Sequence, residues 1–317
     1  MAPARPAGAR LMLAFGGTRL PAEVAARLDE RPPAGVTLFR YLNVRDASQL
    51  RALTDEIQRH APPDRPLAVA VDHEGGQLIG LGADATGFAG NMALGAAGDP
   101  DLARRVAAAI GSELRAVGVN VDYAPVCDLA TNPANPALGV RCFGDDPSHA
   151  AALVAASVQG LAEAGVAAAL KHFPGGGEAA GDPHHVLPVI DADPERFDGV
   201  ELVPFRAGIA AGAALVMTGH PAVPGLSGDP RLPATMARSV VHDLLRDRLG
   251  FGGVTISDAL DMGAVARAGL PDAVAALTAG QDLLLLSADA GAGRRIEAAV
   301  AAARLDAGAA AAAAARI

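Results

Sequence analysis

Val166-Ala167-Ala168-Ala169-Leu170-Lys171-His172-Phe173-Pro174-Gly175-Gly176-Gly177 is the stretch on which the fold turns. Its first five residues form an apolar run bounded by Gly165 and a charge, too short for a helix and suited to a buried strand. Lys171 and His172 are then strand-end groups, and the three glycines behind them allow unusual backbone angles and a mobile loop. A helix-like stretch, Ala150–Ala164, precedes the run and stops at Gly165. The same unit recurs in both directions. Short apolar runs lie at Leu11–Phe15, Val36–Phe39, Leu67–Val71, Val119–Tyr123, Ala214–Met217, Val254–Ile256 and Asp282–Leu286. Helix-like stretches at Ala47–Arg59, Asp101–Val117, Glu201–Ala211 and Ser239–Leu249 separate several of them. Several of these open on an Asp or Ser cap or an early Pro, and others stop at Gly118 or Gly250. Strand–helix alternation repeated eight times predicts parallel strands joined by helical crossovers. The expected fold is α/β, a single-domain (β/α)8 TIM-type barrel, with a doubly wound sheet as its competitor.

No Gly-, Ser- or Pro-rich linker divides the chain, so residues 1–317 are read as one domain. Its core covers about 11–290, and 291–317 form a C-terminal helix or tail to which no chemistry is assigned. The length suits a barrel, which runs to roughly 250 residues plus insertions. At 51% hydrophobic and 19% charged the composition excludes a disordered chain, a collagen and a disulfide scaffold. A net charge of −9 with only 26 Lys and Arg argues against a nucleic-acid groove. The two cysteines, Cys127 and Cys142, suggest no disulfide framework. Met1–Leu13 lacks the apolar segment of a signal peptide, and no apolar run reaches the ~20 residues of a membrane span. A soluble, cytoplasmic protein is therefore expected; a monomer is the working expectation for its assembly.

The longest aperiodic stretches, Gly80–Gly98, Asp128–Asp146 and Phe173–Asp193, each follow a candidate strand. In a barrel such loops build the catalytic face. Asp72, Asp122, Asp128, Lys171, His172, His220 and Asp258 lie at or just beyond strand ends and are expected to converge on one mouth. Each also has a plainer reading. Asp258 suits a helix N-cap, Lys171 a solvated face, His172 a satisfied core histidine, Arg141 a surface ion pair and His220 an ordinary loop. Their joint placement is what the plainer readings leave unexplained. Asp182-Pro183-His184 adds a carboxylate spaced to hold an imidazole in one orientation and favour its protonated form, as a general acid needs. His185 stands beside it as an alternative.

Taken together, Lys171-His172-Phe173-Pro174-Gly175 with Asp182-x-His184, Val71-Asp72-x-Glu74-Gly75-Gly76, Ala124-Pro125-Val126 with Asn132-Pro133, Gly139-Val140-Arg141-x-Phe143-Gly144 and Ser257-Asp258-Ala259-Leu260-x-Met262 resemble glycoside hydrolase family 3. The resemblance is closest to its single-domain bacterial β-N-acetylhexosaminidase branch and runs in order from Leu11 to Ser287. It implies a barrel that removes terminal β-linked N-acetylglucosamine with retention of configuration. Asp258 matches the family's nucleophile, His184 its acid/base and Asp182 the partner of that histidine. Asp72, Arg141, Lys171 and His172 match the residues that grip the sugar, and His220 joins them as a candidate substrate contact. The implied substrate is a small oligosaccharide or muropeptide met in cytoplasmic cell-wall recycling, with no metal or cofactor. Retention needs an attacking carboxylate and a proton donor, usually a second carboxylate ~5–5.5 Å away. An imidazole, with an ordinary pKa of ~6.5, does that work near neutral pH without adding negative charge.

The sequence departs from the family pattern at three points. Gln77-Leu78-Ile79-Gly80 carries no cation where relatives have a sugar-binding Arg, Gly176 stands in place of a His, and Pro183 in place of a Ser. With eight Phe, two Tyr and no Trp, the chain has few faces for stacking sugars, which favours a compact subsite over a long cleft. Three other readings stay open: a metal-dependent hydrolase using His172, His184, His220 and Asp258, a phosphorylase, and a sugar- or protein-binding barrel without turnover.

Overall fold

In a computed structural model of the chain the described residues are 7–262, 271–286 and 307–317, with 265, 296, 298, 299 and 302 between them. The segment before residue 7, the expected core end at 290 and the start of the tail at 291 lie outside them. Eight strands are described, each inside or overlapping one of the apolar runs: β1 (Leu11–Leu13), β2 (Gly35–Thr37), β3 (Ala68–Val71), β4 (Val121–Asp122), β5 (Ala167–Phe173), β6 (Leu215–Thr218), β7 (Val254–Ser257) and β8 (Leu284–Leu285). All neighbours pair in parallel from β1 round to β7, and β8 pairs with β1. A parallel bridge between Ile256 and Leu283 brings β7 to β8 and closes the ring, so the (β/α)8 barrel stands and the open doubly wound sheet does not.

The helices outside the ring include α1 (Ala22–Glu30), α2 (Ala47–Arg59), α3 (Asn91–Ala97), α4 (Pro100–Ala116), α5 (Pro147–Glu163), α6 (Pro194–Gly199), α7 (Leu202–Ala210), α8 (Ser239–Arg248), α9 (Pro271–Ala279) and α10 (Ala307–Arg316). Three begin on the same dipeptide, Asp99-Pro100, Asp146-Pro147 and Asp193-Pro194. In each the aspartate side chain accepts from a first-turn N–H while proline occupies the first helical position, where no N–H is needed. α4 and α5 start one and three residues earlier than the helix-like stretches of the sequence, because the cap rather than the first apolar residue sets them, and α6 falls where no such stretch is read. α8 winds as a π-helix, ending with Leu249 N–H on Leu244 O. Among the described residues no helix is long and apolar enough to cross a membrane.

The two-residue period of the strands sorts their side chains. Met12, Ala70, Val121, Tyr123, Ala169, Leu215, Met217, Ile256 and Leu285 fill the barrel interior. Their neighbours Val69, Val71, Ala168, Leu170 and Val216 face the helices. Continuing the pattern, Asp72 follows Ala70 just past β3, Lys171 follows Ala169 within β5 and Asp258 follows Ile256 just past β7, so all three inherit the inward side. Asp122 does not. It sits between inward Val121 and Tyr123, faces the helix layer, and accepts from His73 N–H at 3.0 Å. The expectation that it joins the other acids at the mouth is corrected by that alternation.

At the opposite end of the barrel Asp282, fully buried, gathers the chain. Its carboxylate accepts from Arg316 Nη2 at 2.6 Å, from Thr255 N–H at 2.9 Å and from Arg246. Its backbone carbonyl takes Arg10 Nε at 3.0 Å. The alanine-rich tail is thus a helix anchored through Arg316. Breaking a buried ion pair from one side leaves its partners charged and dry, at a cost of about 3–5 kcal/mol. Asp282→Ala should lower unfolding stability by that order in urea titrations, while Arg316→Ala should cost less because Arg246 retains its partner.

Candidate active site

A buried acid organises the mouth. Glu74, on the turn after β3, has a side chain only 1% exposed. Arg141, from the short 3-10 turn Gly139–Arg141, meets it with two hydrogen bonds, Nε to Oε2 at 2.8 Å and Nη2 to Oε1 at 2.7 Å. Lys171 Nζ, at the end of β5, lies 2.6 Å from Glu74 Oε1 and 2.6 Å from Asp72 Oδ1. Lys171 is 1% exposed, so it is no solvated lysine, and the partner of Arg141 is no surface carboxylate. Burial alone would raise the Glu74 carboxyl, but Lys171 and Arg141 outweigh it and hold it down at about 2. Burial likewise works against the Lys171 charge, and Asp72 and Glu74 reverse it, pushing the ammonium up to about 12. Asp72, whose side chain is 29% exposed, is the acid of this cluster that opens to the cleft.

His172 is held from the other side. Its Nδ1 lies 2.7 Å from Asp128 Oδ2, which also accepts its backbone N–H at 3.0 Å. Asp128 Oδ1 takes Gly176 N–H at 2.5 Å, so one buried carboxylate fixes both the imidazole and the start of the glycine segment. Asn135 Nδ2 donates to the carbonyls of Gly176 and Gly177 at 3.0 Å each. A Cβ on Gly177 would lie 1.7 Å from the Leu129 carbonyl oxygen. Gly177 therefore serves close backbone approach, Gly175 takes the unusual backbone angle expected of the segment at φ +118°, and hydrogen bonds tie its start.

Asp258 follows β7, with Oδ1 accepting Ala259 N–H at 2.7 Å. Burial pushes its carboxyl up, yet His220, His172, the Ala259 N–H and Lys171 together bring it below its ordinary value, favouring the anion. His220 is 1% exposed, with Nε2 3.0 Å from the Ala259 carbonyl and Nδ1 2.7 Å from Thr235 Oγ1. Both ring nitrogens are spent inside the protein, which corrects the expectation of a sugar contact. His220 instead packs beside Asp258.

On the loop after β5, Asp182 Oδ1 accepts both the backbone N–H of His184 at 2.9 Å and pairs with its Nδ1 at 2.7 Å. The imidazole is 61% exposed, and Nε2 is left as its free nitrogen. Burial tends to raise the Asp182 carboxyl, but these bonds from His184 lower it. His185 lines neither of the two spaces described next.

A cleft of about 420 Å³ opens over the barrel end, with Asp72, Arg141, His172, His184 and Asp258 in its wall. Beneath it a recess of about 50 Å³ shares Arg141, His172, His184 and Asp258 and adds His220. Asp182 stands behind His184, and Lys171 lies under Asp72, outside both linings. Gln77, Ile79 and Gly80 border the cleft without a cation, while Arg40, exposed after β2, borders it too. Sequence reasoning left Glu74 and Asp128 without roles. Both stand at strand ends beside assigned residues, but only the folded chain gives them their partners.

Because Glu74 is depressed from 4.5 to about 2, its contribution is full above pH 4.5 and is lost as pH falls toward about 2. Glu74→Gln should therefore cost roughly 3 kcal/mol at pH 7. The gap from wild type should narrow through that acid window, as read by urea unfolding at successive pH values. A constant gap would separate the cost from the carboxylate charge.

Residues 10–317 match the glycosyl hydrolase family 3 N-terminal domain. A beta-hexosaminidase A of Pseudoalteromonas piscicida is 38% identical over 266 residues, 78% of this chain but 44% of that protein. A beta-hexosaminidase of Chromobacterium violaceum is 37% identical over 284 residues, 87% of this chain and 78% of its own length. Among solved structures, a family 3 beta-N-acetylglucosaminidase from Paenibacillus sp. str. FPU-7 superposes with a TM-score of 0.95 at 38% identity, covering all of this chain and 61% of that one. The beta-N-acetylhexosaminidase of Beutenbergia cavernae DSM 12333 gives 0.86 at 31% identity, covering 98% of this chain and 95% of its own. The chain thus spans less than two thirds of some relatives and nearly the whole of others. It belongs to glycosyl hydrolase family 3, as that family's N-terminal barrel domain.

Proposed function

We propose that the barrel is a retaining exo-glycosidase that hydrolyses terminal β-linked N-acetylglucosamine. The supporting observation is that Asp258, biased toward its anion, and His184, backed by Asp182, border one cleft whose wall also carries Asp72, Arg141 and His172. In the first step an Asp258 oxygen attacks the anomeric carbon as its bond to the leaving oxygen breaks. His184 gives its Nε2 proton to that oxygen, and the sugar remains as an ester on Asp258. In the second step water attacks the same carbon, His184 takes its proton, and the Asp258 carboxylate is released. Two inversions give net retention.

Asp182 suits this cycle because its carboxylate stabilises the imidazolium and pins Nδ1, leaving Nε2 to exchange protons. Asp72 accepts from ring hydroxyls, Arg141 and His172 donate, and Lys171, outside the cleft lining, acts through Asp72 by holding its carboxylate in place. Arg40 brings a positive charge to the cleft margin that lacks the family's usual arginine. The size of the cleft favours one terminal sugar of a small oligosaccharide. A muropeptide substrate and cell-wall recycling in the cytoplasm complete the reading on the strength of the family resemblance. A phosphorylase shares the first step and differs only in the acceptor, so product release compared with and without phosphate separates the two.

A 2-fluoro glycosyl fluoride should label Asp258, identified by peptide mapping, and a label elsewhere would remove it as nucleophile. Asp258→Ala should abolish turnover of every substrate. His184→Ala should slow an alkyl N-acetylglucosaminide by ~10²–10⁴-fold yet slow a 4-nitrophenyl substrate far less in its first step. Equal losses on both would remove its role as acid. His185→Ala should leave both rates close to wild type.

A further inference from the structure

Behind the sugar cleft, on the helix side of β3 and β4, lies a second cavity of about 280 Å³. Its wall is mostly apolar, with Phe88 from the preceding loop, Leu94 of α3, Val106 and Ile110 of α4 and Leu161 of α5. Of the polar side chains that line it, Glu74 is paired with Arg141 and Lys171, Asn91 donates to the Arg141 carbonyl and Ser157 to the Leu153 carbonyl, which leaves His73 and Asp122 at the strand ends. His73 is 1% exposed, and neither ring nitrogen has a hydrogen-bond partner in the protein. Asp122 is fully buried; its Oδ1 accepts His73 N–H, while Oδ2 has no partner. These three buried polar atoms without partners are costly unless something hydrogen-bonds to them. None of them takes part in the chemistry proposed for the sugar cleft.

We propose that this cavity is a second ligand site, for a small neutral amphiphile that offers a hydroxyl to His73 and Asp122 and buries its apolar body against Phe88, Val106 and Ile110. The volume sets the size, since an apolar cavity of ~150 Å³ holds benzene and this one suits a body of about two fused rings. The polar end sets the head group. Burial lowers the His73 imidazole to about 4 and pushes the Asp122 carboxyl well above the usual carboxylate range, so both favour neutral forms. A neutral imidazole presents one donor and one acceptor, which a hydroxyl can meet with its own acceptor and donor. A carboxylate or ammonium head would lose its hydration without a counter-charge. The half-buried Leu94, Leu102 and Val106 and the exposed Ala93 mark the side of the cavity open toward solvent.

The probe is 2-naphthol, with naphthalene as its hydroxyl-free control, titrated calorimetrically into the full chain and checked by thermal melting. The expected result is saturable one-to-one binding of 2-naphthol, unaltered by saturating N-acetylglucosamine and about tenfold tighter than naphthalene. Val106→Phe, which fills the cavity from α4, should abolish binding, and His73→Leu should reduce 2-naphthol to the affinity of naphthalene. Absence of saturable binding, competition by N-acetylglucosamine, or full binding by Val106→Phe would each overturn the proposal. A crystal soaked in 2-naphthol gives a readout independent of the variants: the ring between α4 and β4 supports the site, and water alone at His73 and Asp122 overturns it. Because these readouts are of binding and not of turnover, they stand or fall apart from the glycosidase reading.

Discussion

The buried carboxylate of Glu74 is the constraint on which the mouth of the barrel depends. An acid with so little exposure is tolerable only when cations are fixed against it, and Arg141 and Lys171 supply them from different parts of the chain. One residue follows β3, one comes from the loop after β4 and one ends β5, so the three charges lock three neighbouring βα units in a single register. Asp72 joins through Lys171 and carries the negative charge outward into the cleft. The two-pronged bond between Arg141 and Glu74 matters for direction as much as for energy, since it fixes the plane of the guanidinium.

A second carboxylate, Asp128, repeats the device on a smaller scale. It holds the His172 ring, the His172 backbone and Gly176 together, which couples an imidazole at the cleft to the loop that goes on to carry His184. That coupling gives the departures from the family pattern a physical setting. A Cβ at Gly176 would lie 3.4 Å from the Asp128 carboxylate that its N–H already meets, whereas Pro183 sits in a turn whose geometry Asp182 already holds through His184. The exposed catalytic candidate is thus carried on a loop whose base is tied by buried groups.

Much of the fold was legible because the strands repeat one signal. Apolar runs closed by Gly or a charge located all eight strands within a few residues, and α2 was read at both its ends. Helix starts set by Asp-Pro caps were less legible: α5 opens at Pro147, ahead of its apolar face, and the short α6 after Asp193 was not read at all. The residues of the candidate site were legible as a set of strand-end polar groups. Their roles were not. His220 looks in sequence like any other histidine after a strand, and only contacts with Thr235 and the Ala259 carbonyl, far along the chain, commit both its nitrogens.

By itself the sequence determined the barrel and the list of groups at its strand ends, because local hydrophobic alternation and capping are properties of neighbouring residues. Tertiary structure alone decided which of those groups share a space. Pleat parity turned Asp72, Lys171 and Asp258 inward and Asp122 outward, and the side-by-side pairing of β3, β4 and β5 brought Glu74 to Arg141 across 67 positions and Asp72 to Lys171 across 99. Charge pairing and cavity formation act through space, and chain order carries no record of them until the strands have paired.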